Sequence, residues 1–320
     1  MTTTAAPRTG SRGGGLGLAL VSAASFSLSG TLASGLLETG WSPGAVVLVR
    51  IGLGALVVIP VGLLSLRGRW SALRANAGVV LLYGAFAVAG AQLAYFTAIE
   101  RMPVGPALLV EYTAPAAVVA WMWMRHGQAP GRLTVLGAAI AVAGLVLVLD
   151  LVGGTHLDPV GVAWAFGAMF GAAVYFVVGA YDGEGLPPLA LAAGGLVVGG
   201  ALLGLAGAVG ILPLAASTAT PVYAGTAVPW WLPLLGLGVV TAGIAYVTGV
   251  LAARRLGARL SSFVGLVEVV AAVAVAWLLL GQAPAAVQLA GGALVLAGVA
   301  AVQAGEPRTP PAEPVGEMPA

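Results

Sequence analysis

Gly127-Gln128-Ala129-Pro130 recurs, 154 positions further on, as Gly281-Gln282-Ala283-Pro284. The match extends to both sides. Trp123 falls on Trp277, and Gly137 and Gly144 fall on Gly291 and Gly298. Between Ala98 and Val148, 16 of 51 positions are identical under this shift, where a chain this rich in Ala, Gly and Val gives roughly 6 by chance. Shared low complexity does not produce an aligned four-residue motif, so the chain reads as two copies of one unit.

The surroundings of the motif say what the unit is. Of 320 residues, 60% are hydrophobic and 8% charged, and mean hydropathy is +1.03. An ordinary soluble domain carries about a quarter charged residues. Apolar runs occupy 16–37, 44–65, 78–98, 104–124, 133–151, 160–180, 188–211, 230–251, 260–280 and 285–304. A bilayer core takes about 20 apolar residues per helix. The runs are continuously apolar rather than alternating, which argues against barrel strands. The expectation is an all-α polytopic membrane protein with ten transmembrane helices. It divides into a tail over 1–15, a first five-helix repeat over 16–151, a second over 160–304 and a disordered tail over 305–320. Arg8 and Arg12 in the first tail resemble a signal-peptide n-region, but the apolar run behind them exceeds a 7–15-residue h-region, so it reads as a retained first helix.

The few charges give the orientation. With the N-terminus inside, the inner loops carry Arg8, Arg12, Arg67, Arg69, Arg74, Arg125, Arg132, Arg254, Arg255 and Arg308, and the outer loops only Arg101. Both termini are therefore expected in the cytoplasm of a plasma-membrane protein. Each unit holds five spans, an odd number, so the second unit must lie upside down relative to the first. The charges agree. The first Gly-Gln-Ala-Pro loop is flanked by Arg125 and Arg132, whereas the second has no charge. Conversely, Glu100-Arg101 outside becomes Arg254-Arg255 inside.

The chain is similar to the EamA branch of the drug/metabolite transporter superfamily. Residues Ala252-Ala253-Arg254-Arg255-Leu256-Gly257-Ala258-Arg259, Leu266-Val267-Glu268 and Ala276-Trp277-Leu278-Leu279-Leu280-Gly281-Gln282 carry the resemblance. The first half adds Glu111-Tyr112-Thr113-Ala114-Pro115. Two features depart from that pattern: the usual Glu-Pro of the ninth helix reads Glu268-Val269, and the usual Gly-Glu after that helix reads Gly-Gln in both halves. The resemblance implies export of small metabolites, often amino acids.

Ionisable groups deep in a span are costly and usually functional. Three occur: Arg50, Glu111 and Glu268. Under the repeat, Glu268 aligns with Ala114, so the two glutamates sit one turn apart on equivalent helices. A carboxyl there can carry a proton or face a cationic substrate; the alternative is a structural hydrogen bond. Arg50 has the further option of pairing with a glutamate or a helix C-terminus. Pro115 frees the carbonyl of Glu111 and predicts a kink beside it. Further candidates for substrate contact are Gln92 and Tyr246, at equivalent positions, Tyr95 one turn beyond Gln92, and Trp164 and Tyr175 on the sixth helix with Ala168 and Gly171. Ser261, Gly265 and Ala272 share the face of Glu268, and Ser22, Ser25 and Ser29 form a hydroxyl stripe. Tight packing explains those stripes equally well.

The composition excludes several classes. All 13 basic residues are arginine, and cysteine is absent. There is thus no Walker A or Schiff-base lysine and no thiol or disulfide chemistry; the bland reading of both absences is codon bias in a GC-rich genome. No cofactor or metal cluster is indicated, and nucleic acid is not a partner. Gly40-Trp41-Ser42-Pro43-Gly44 fits a nucleophile elbow but lies in a helix–helix loop without a histidine base. The expectation is a secondary transporter, not an enzyme. It would export small metabolites such as amino acids by alternating access, with protons as a coupling partner and the bilayer around it. The alternatives are a cationic drug exporter or a non-transporting sensor or scaffold. A homodimer is compatible with the sequence but is not decided by it.

Overall fold

The computed structural model describes residues 10–114, 116–117, 131–148, 157–181 and 185–305. Its helices are α1 (Gly10–Leu37), α2 (Pro43–Ser65), α3 (Trp70–Ala75), α4 (Ala77–Ile99), α5 (Val104–Glu111), α6 (Arg132–Val148), α7 (Pro159–Ala180) and α8 (Pro188–Ala208). After a short hairpin of β1 (Val222–Tyr223) and β2 (Thr226–Ala227) come α9 (Trp231–Gly257), α10 (258–280) and α11 (Ala286–Gly305). Each apolar run read from the sequence carries helix among the described residues. Among the described residues six helices, α1, α2, α4, α7, α8 and α9, are long and apolar enough to cross a bilayer. Arg132–Gly144, Val267–Leu280 and Ala286–Gly298 are shorter apolar helices. The chain is a polytopic helical membrane protein.

The packing follows the 154-residue spacing. Helix α1 lies along α9 and α10, and α7 takes the corresponding place against α4 and α5. Helix α2 packs on α8 and on α9, and α8 in turn on α4. The equivalent helices α6 and α11 pack on one another. Gly144 abuts the Gly291 carbonyl and Gly298 abuts the Gly137 carbonyl, each so closely that a Cβ would sit 2.6 Å from that oxygen. This reciprocal pairing, with each glycine meeting its partner's other equivalent, requires the two helices to run antiparallel. On α8, Gly195 and Gly199 admit Tyr83 and Val88 of α4, and on α7 Gly171 admits Ala91. The small-residue spacings thus serve close helix approach.

One local feature was not legible in the apolar pattern. Helix α4 is π-wound over Tyr83–Gly90, and α9 is π-wound over Gly236–Ile244. The repeat shift carries 83–90 onto 237–244, so the same irregularity occurs at the same place in both halves. A π turn disturbs the regular ladder of backbone hydrogen bonds and is found disproportionately at functional sites.

The two ends of the bundle differ. Gly14 and Gly15 lie beside Arg255 and Leu256, and Arg67, Arg69 and Arg74 are exposed at the end of α2 nearest them. At the opposite end the segment after α8 folds over the α1–α2 turn. Ser42 caps α2, its Oγ accepting from the Ala45 N–H at 3.3 Å, and its main chain donates to Ala215 O. The Gly40–Gly44 stretch is therefore a helix cap. Arg101 and Asp158 form an ion pair of 3.2 Å at this end. Asp158 also accepts from the Val160 N–H at 2.8 Å and caps α7. That backbone bond, and then Arg101, hold its carboxyl below the usual carboxylate range.

Candidate functional site

The glutamates of the two halves open onto one cavity. Its walls come from α1 (Ser22, Phe26), α4 (Gln92), α5 and its end (Glu111, Tyr112), α7 (Tyr175, Phe176), α9 (Tyr246, Gly249) and α10 (Ser261, Gly265, Glu268). Glu111 is half-buried, while its neighbours Leu108, Leu109 and Val110 are buried in the core. Glu268 is half-buried between Val264 and Ala272, both buried.

The carboxyls are not isolated. The Tyr112 hydroxyl donates to Glu268 Oε2. Thus α5, carrying Glu111, is tied to α10, carrying Glu268, by the residue next to Glu111. Both carboxyls lie within electrostatic reach of each other and of Arg50. The rest of the wall combines small residues with a group of aromatic rings. Tyr175 meets Phe26, Phe176 and Tyr246 edge-on, with ring centroids 6.3, 5.3 and 5.9 Å apart. Ser22 Oγ donates to Ala245 O at 2.9 Å. The cavity encloses about 80 Å³, well below the roughly 300–1,000 Å³ of pockets that enclose small molecules. That is room for a few water molecules at most, so a metabolite enters only if the helices part.

Arg50 stands directly behind this wall. It is wholly buried. Its Nε donates to Thr241 Oγ1 at 3.0 Å and its Nη2 to the Thr241 carbonyl at 2.6 Å. Its guanidinium carbon lies 5.8 Å from the Phe26 ring centroid and 5.4 Å from that of Phe96. The third nitrogen, Nη1, has no hydrogen-bond partner among the described residues. Arg50 therefore bonds to the π-wound turn of α9 and not, in this state, to either glutamate. Thr241 is the repeat equivalent of Ala87, and the Ala87 carbonyl accepts a long 3.4 Å bond from Tyr246. Equivalent carbonyls of the two π turns thus both accept a side-chain hydrogen bond.

The other expected residues divide. Gln92, Tyr246 and Tyr175 line the cavity with the two glutamates, as do Ser22, Ser261 and Gly265. Tyr95 is buried against Gly30 of α1, outside the cavity lining, and its hydroxyl has no partner among the described residues. Trp164 is 41% exposed. It shares the face of Ala168, Gly171 and Tyr175 but sits about 16 Å from Tyr175 along the helix, facing the surroundings. Ala272, Ser25 and Ser29 are buried outside the cavity lining. Pro115 lies outside the described residues. Tyr112, Phe26 and Thr241 were missed. Tyr112 was in view beside Glu111, and Phe26 falls one turn from Ser22 on the hydroxyl stripe. Nothing in a single sequence marks Thr241 as the acceptor of a buried arginine.

Two stretches of the chain, residues 13–150 and 159–303, match the model of the EamA-like transporter family. The chain belongs to the EamA-like transporter family. It is a multi-pass integral membrane protein of transporter type. It is 28% identical over 245 residues to the threonine/homoserine exporter RhtA of Salmonella typhimurium strain SL1344, covering 75% of this chain and 74% of that protein. RhtA of strain LT2 matches to the same extent. A solved crystal structure covers 89% of this chain and 96% of its own at a TM-score of 0.58 and 23% identity, which establishes likeness of fold. The boundary between the two EamA matches falls between α6 and α7, at the junction of the repeated units.

Proposed function

We propose that this EamA protein is a secondary exporter of small amino acids, working by alternating access and coupled to protons. The carrying observation is that one glutamate from each half, Glu111 and Glu268, faces a single cavity and that Tyr112 links the two helices bearing them. A cavity shared between repeats near mid-membrane suits alternating access. Two adjacent carboxyls can take up a proton or an ammonium group but not both at full charge, which couples the two ligands. The architecture we infer is ten transmembrane helices in two inverted five-helix units, over 16–151 and 160–304. The antiparallel crossing of α6 and α11 and the paired π turns support it. Exposed arginines near the start of α1 support a cytoplasmic N-terminus.

Arg50 favours amino acids over plain organic cations. Its Nη1 is an unspent donor behind the same wall, and a guanidinium is suited to a carboxylate. The two RhtA relatives are threonine and homoserine exporters, which makes those compounds the first to test. The second reading, a cationic drug exporter, draws on the acidic and aromatic wall but leaves Arg50 without a ligand role.

The test is uptake of labelled threonine and homoserine into proteoliposomes under an imposed pH gradient. Wild-type protein is expected to show gradient-driven transport, and Glu111→Gln to lose at least about tenfold of it, roughly 1.4 kcal/mol of barrier. Gradient-driven transport by Glu111→Gln at the wild-type rate contradicts the coupling role. Because the chain has no cysteine, single-cysteine labelling from each side of the membrane reads the orientation directly.

A further inference from the structure

The segment between α8 and α9 is not a slack connection. We propose that it is a latch, which holds the outer end of the bundle shut and must release when the cavity empties on that side. The proposal rests on the alternating-access reading above and adds the gate to it.

Its hydrogen bonds are the first support. The Tyr223 hydroxyl donates to the Leu32 carbonyl of α1 at 2.7 Å. The Ala224 N–H donates to the Leu279 carbonyl, at the end of α10, also at 2.7 Å. The base of the segment is anchored separately. Trp41 Nε1 donates to Ser217 O, and Ser42 Oγ donates to Pro213 O, both at 2.8 Å. The segment therefore ties α1 to α10, two helices that also carry Ser22 and Glu268 of the cavity wall. The ties lie about 15 Å along each helix from those cavity residues.

The second support is a strained tip. Strands β1 and β2 pair Val222 with Ala227 and Tyr223 with Thr226, so Ala224 and Gly225 form a two-residue turn. Both have positive φ, 50° and 75°. This is the turn that favours Asn-Gly or Gly-Gly. Among the described residues Ala224 is the one non-glycine at positive φ, and its N–H is the one given to Leu279. Strain of this kind persists where neighbouring contacts hold it and is characteristic of switch elements. The third support is fit: Gly35 of α1 has no side chain, and a Cβ there would lie 2.5–2.6 Å from the Tyr223 ring. The ring is seated in a notch that only glycine leaves open.

The chain's lack of cysteine makes the test clean. Ala224→Cys/Leu279→Cys, joined by a short thiol cross-linker, fixes the latch to α10. Transport of labelled threonine by the cross-linked protein is expected to fall at least tenfold and to return when the linker is cleaved by reductant in the same sample. Undiminished transport in the cross-linked protein overturns the proposal. A second measurement needs no substrate. Leu279→Cys is exposed to a membrane-impermeant maleimide from the outer side, alone and combined with Tyr223→Phe. Loss of the hydroxyl is expected to speed labelling severalfold; equal rates overturn the latch. Absence of threonine and homoserine transport in the unmodified protein instead counts against the proposed substrate, and the labelling result then decides the latch by itself.

Discussion

The two π-wound turns stand at equivalent places in the two halves yet are held unequally. In α9, the Thr241 carbonyl and hydroxyl both accept from Arg50, at 2.6 and 3.0 Å. In α4, the Ala87 carbonyl accepts one bond of 3.4 Å from a neutral hydroxyl. Hydrogen bonds from a charged donor are roughly twice as strong as neutral ones, and 3.4 Å is beyond the usual O–H···O range. The repeat thus supplies the same weak point twice, and side chains outside the repeat pattern make one turn firm and leave the other yielding. On this account α9 is the fixed wall of the cavity and α4 the wall that gives.

The comparison breaks first at Arg50. Arg50→Met removes both guanidinium bonds to Thr241 inside the bundle, and a bond from a charged donor is worth about 1.5–3 kcal/mol. A clear drop in melting temperature in detergent is expected, together with loss of transport. Arg50→Lys keeps the charge but not the fork, and is expected to fall between the two. A Met variant as stable as wild type would show that α9 is not held this way. Next in size is Tyr112→Phe, which removes the hydroxyl that bridges α5 to Glu268. It is expected to shift the pH dependence of transport while leaving stability within about 1 kcal/mol of wild type. An unchanged pH profile would separate Tyr112 from the acid pair. Tyr246→Phe removes the long bond to Ala87 together with the hydroxyl's bond with Gln92, both neutral, and is expected to change stability by about 1 kcal/mol or less.

The smallest effect belongs to the outer surface. Asp158 is a half-buried cap whose carboxyl is held below its usual range by the Val160 N–H and by Arg101. A depressed carboxyl stabilises the fold above its unfolded value of about 3.9, and that contribution fades as pH falls through the lower, folded value. Asp158→Asn is therefore expected to be slightly less stable at neutral pH, and the gap should close in acid. A gap that widens in acid would contradict the cap.

Much of the fold was legible because a membrane leaves few options. Continuous apolar runs must be helices, and loop arginines mark one side. Gly144 and Gly298 were visible as a repeated pair and turn out to meet the backbone of each other's helix. The site was legible in its charges: Glu111 and Glu268 stood out because carboxyls are rare in spans, and both reach the cavity. Residues whose role depends on a partner far along the chain were not legible. Arg50 was visible as a charge, but its bond to Thr241 spans 191 positions, and no local pattern encodes it. Trp164 shares a helical face with Tyr175, but periodicity gives the face and not the depth along it. The π turns escaped because small apolar residues accept α and π winding alike.

The central claim is that Glu111 and Glu268 form one coupled acid pair serving the exported molecule. The direct measurement is proton release per molecule bound, read in weakly buffered detergent solution on addition of threonine, for wild type, Glu111→Gln, Glu268→Gln and the double variant. The account predicts proton release in wild type, altered release in each single variant and none in the double variant, with the single effects failing to add. Equal, pH-independent release in wild type and the double variant would contradict it.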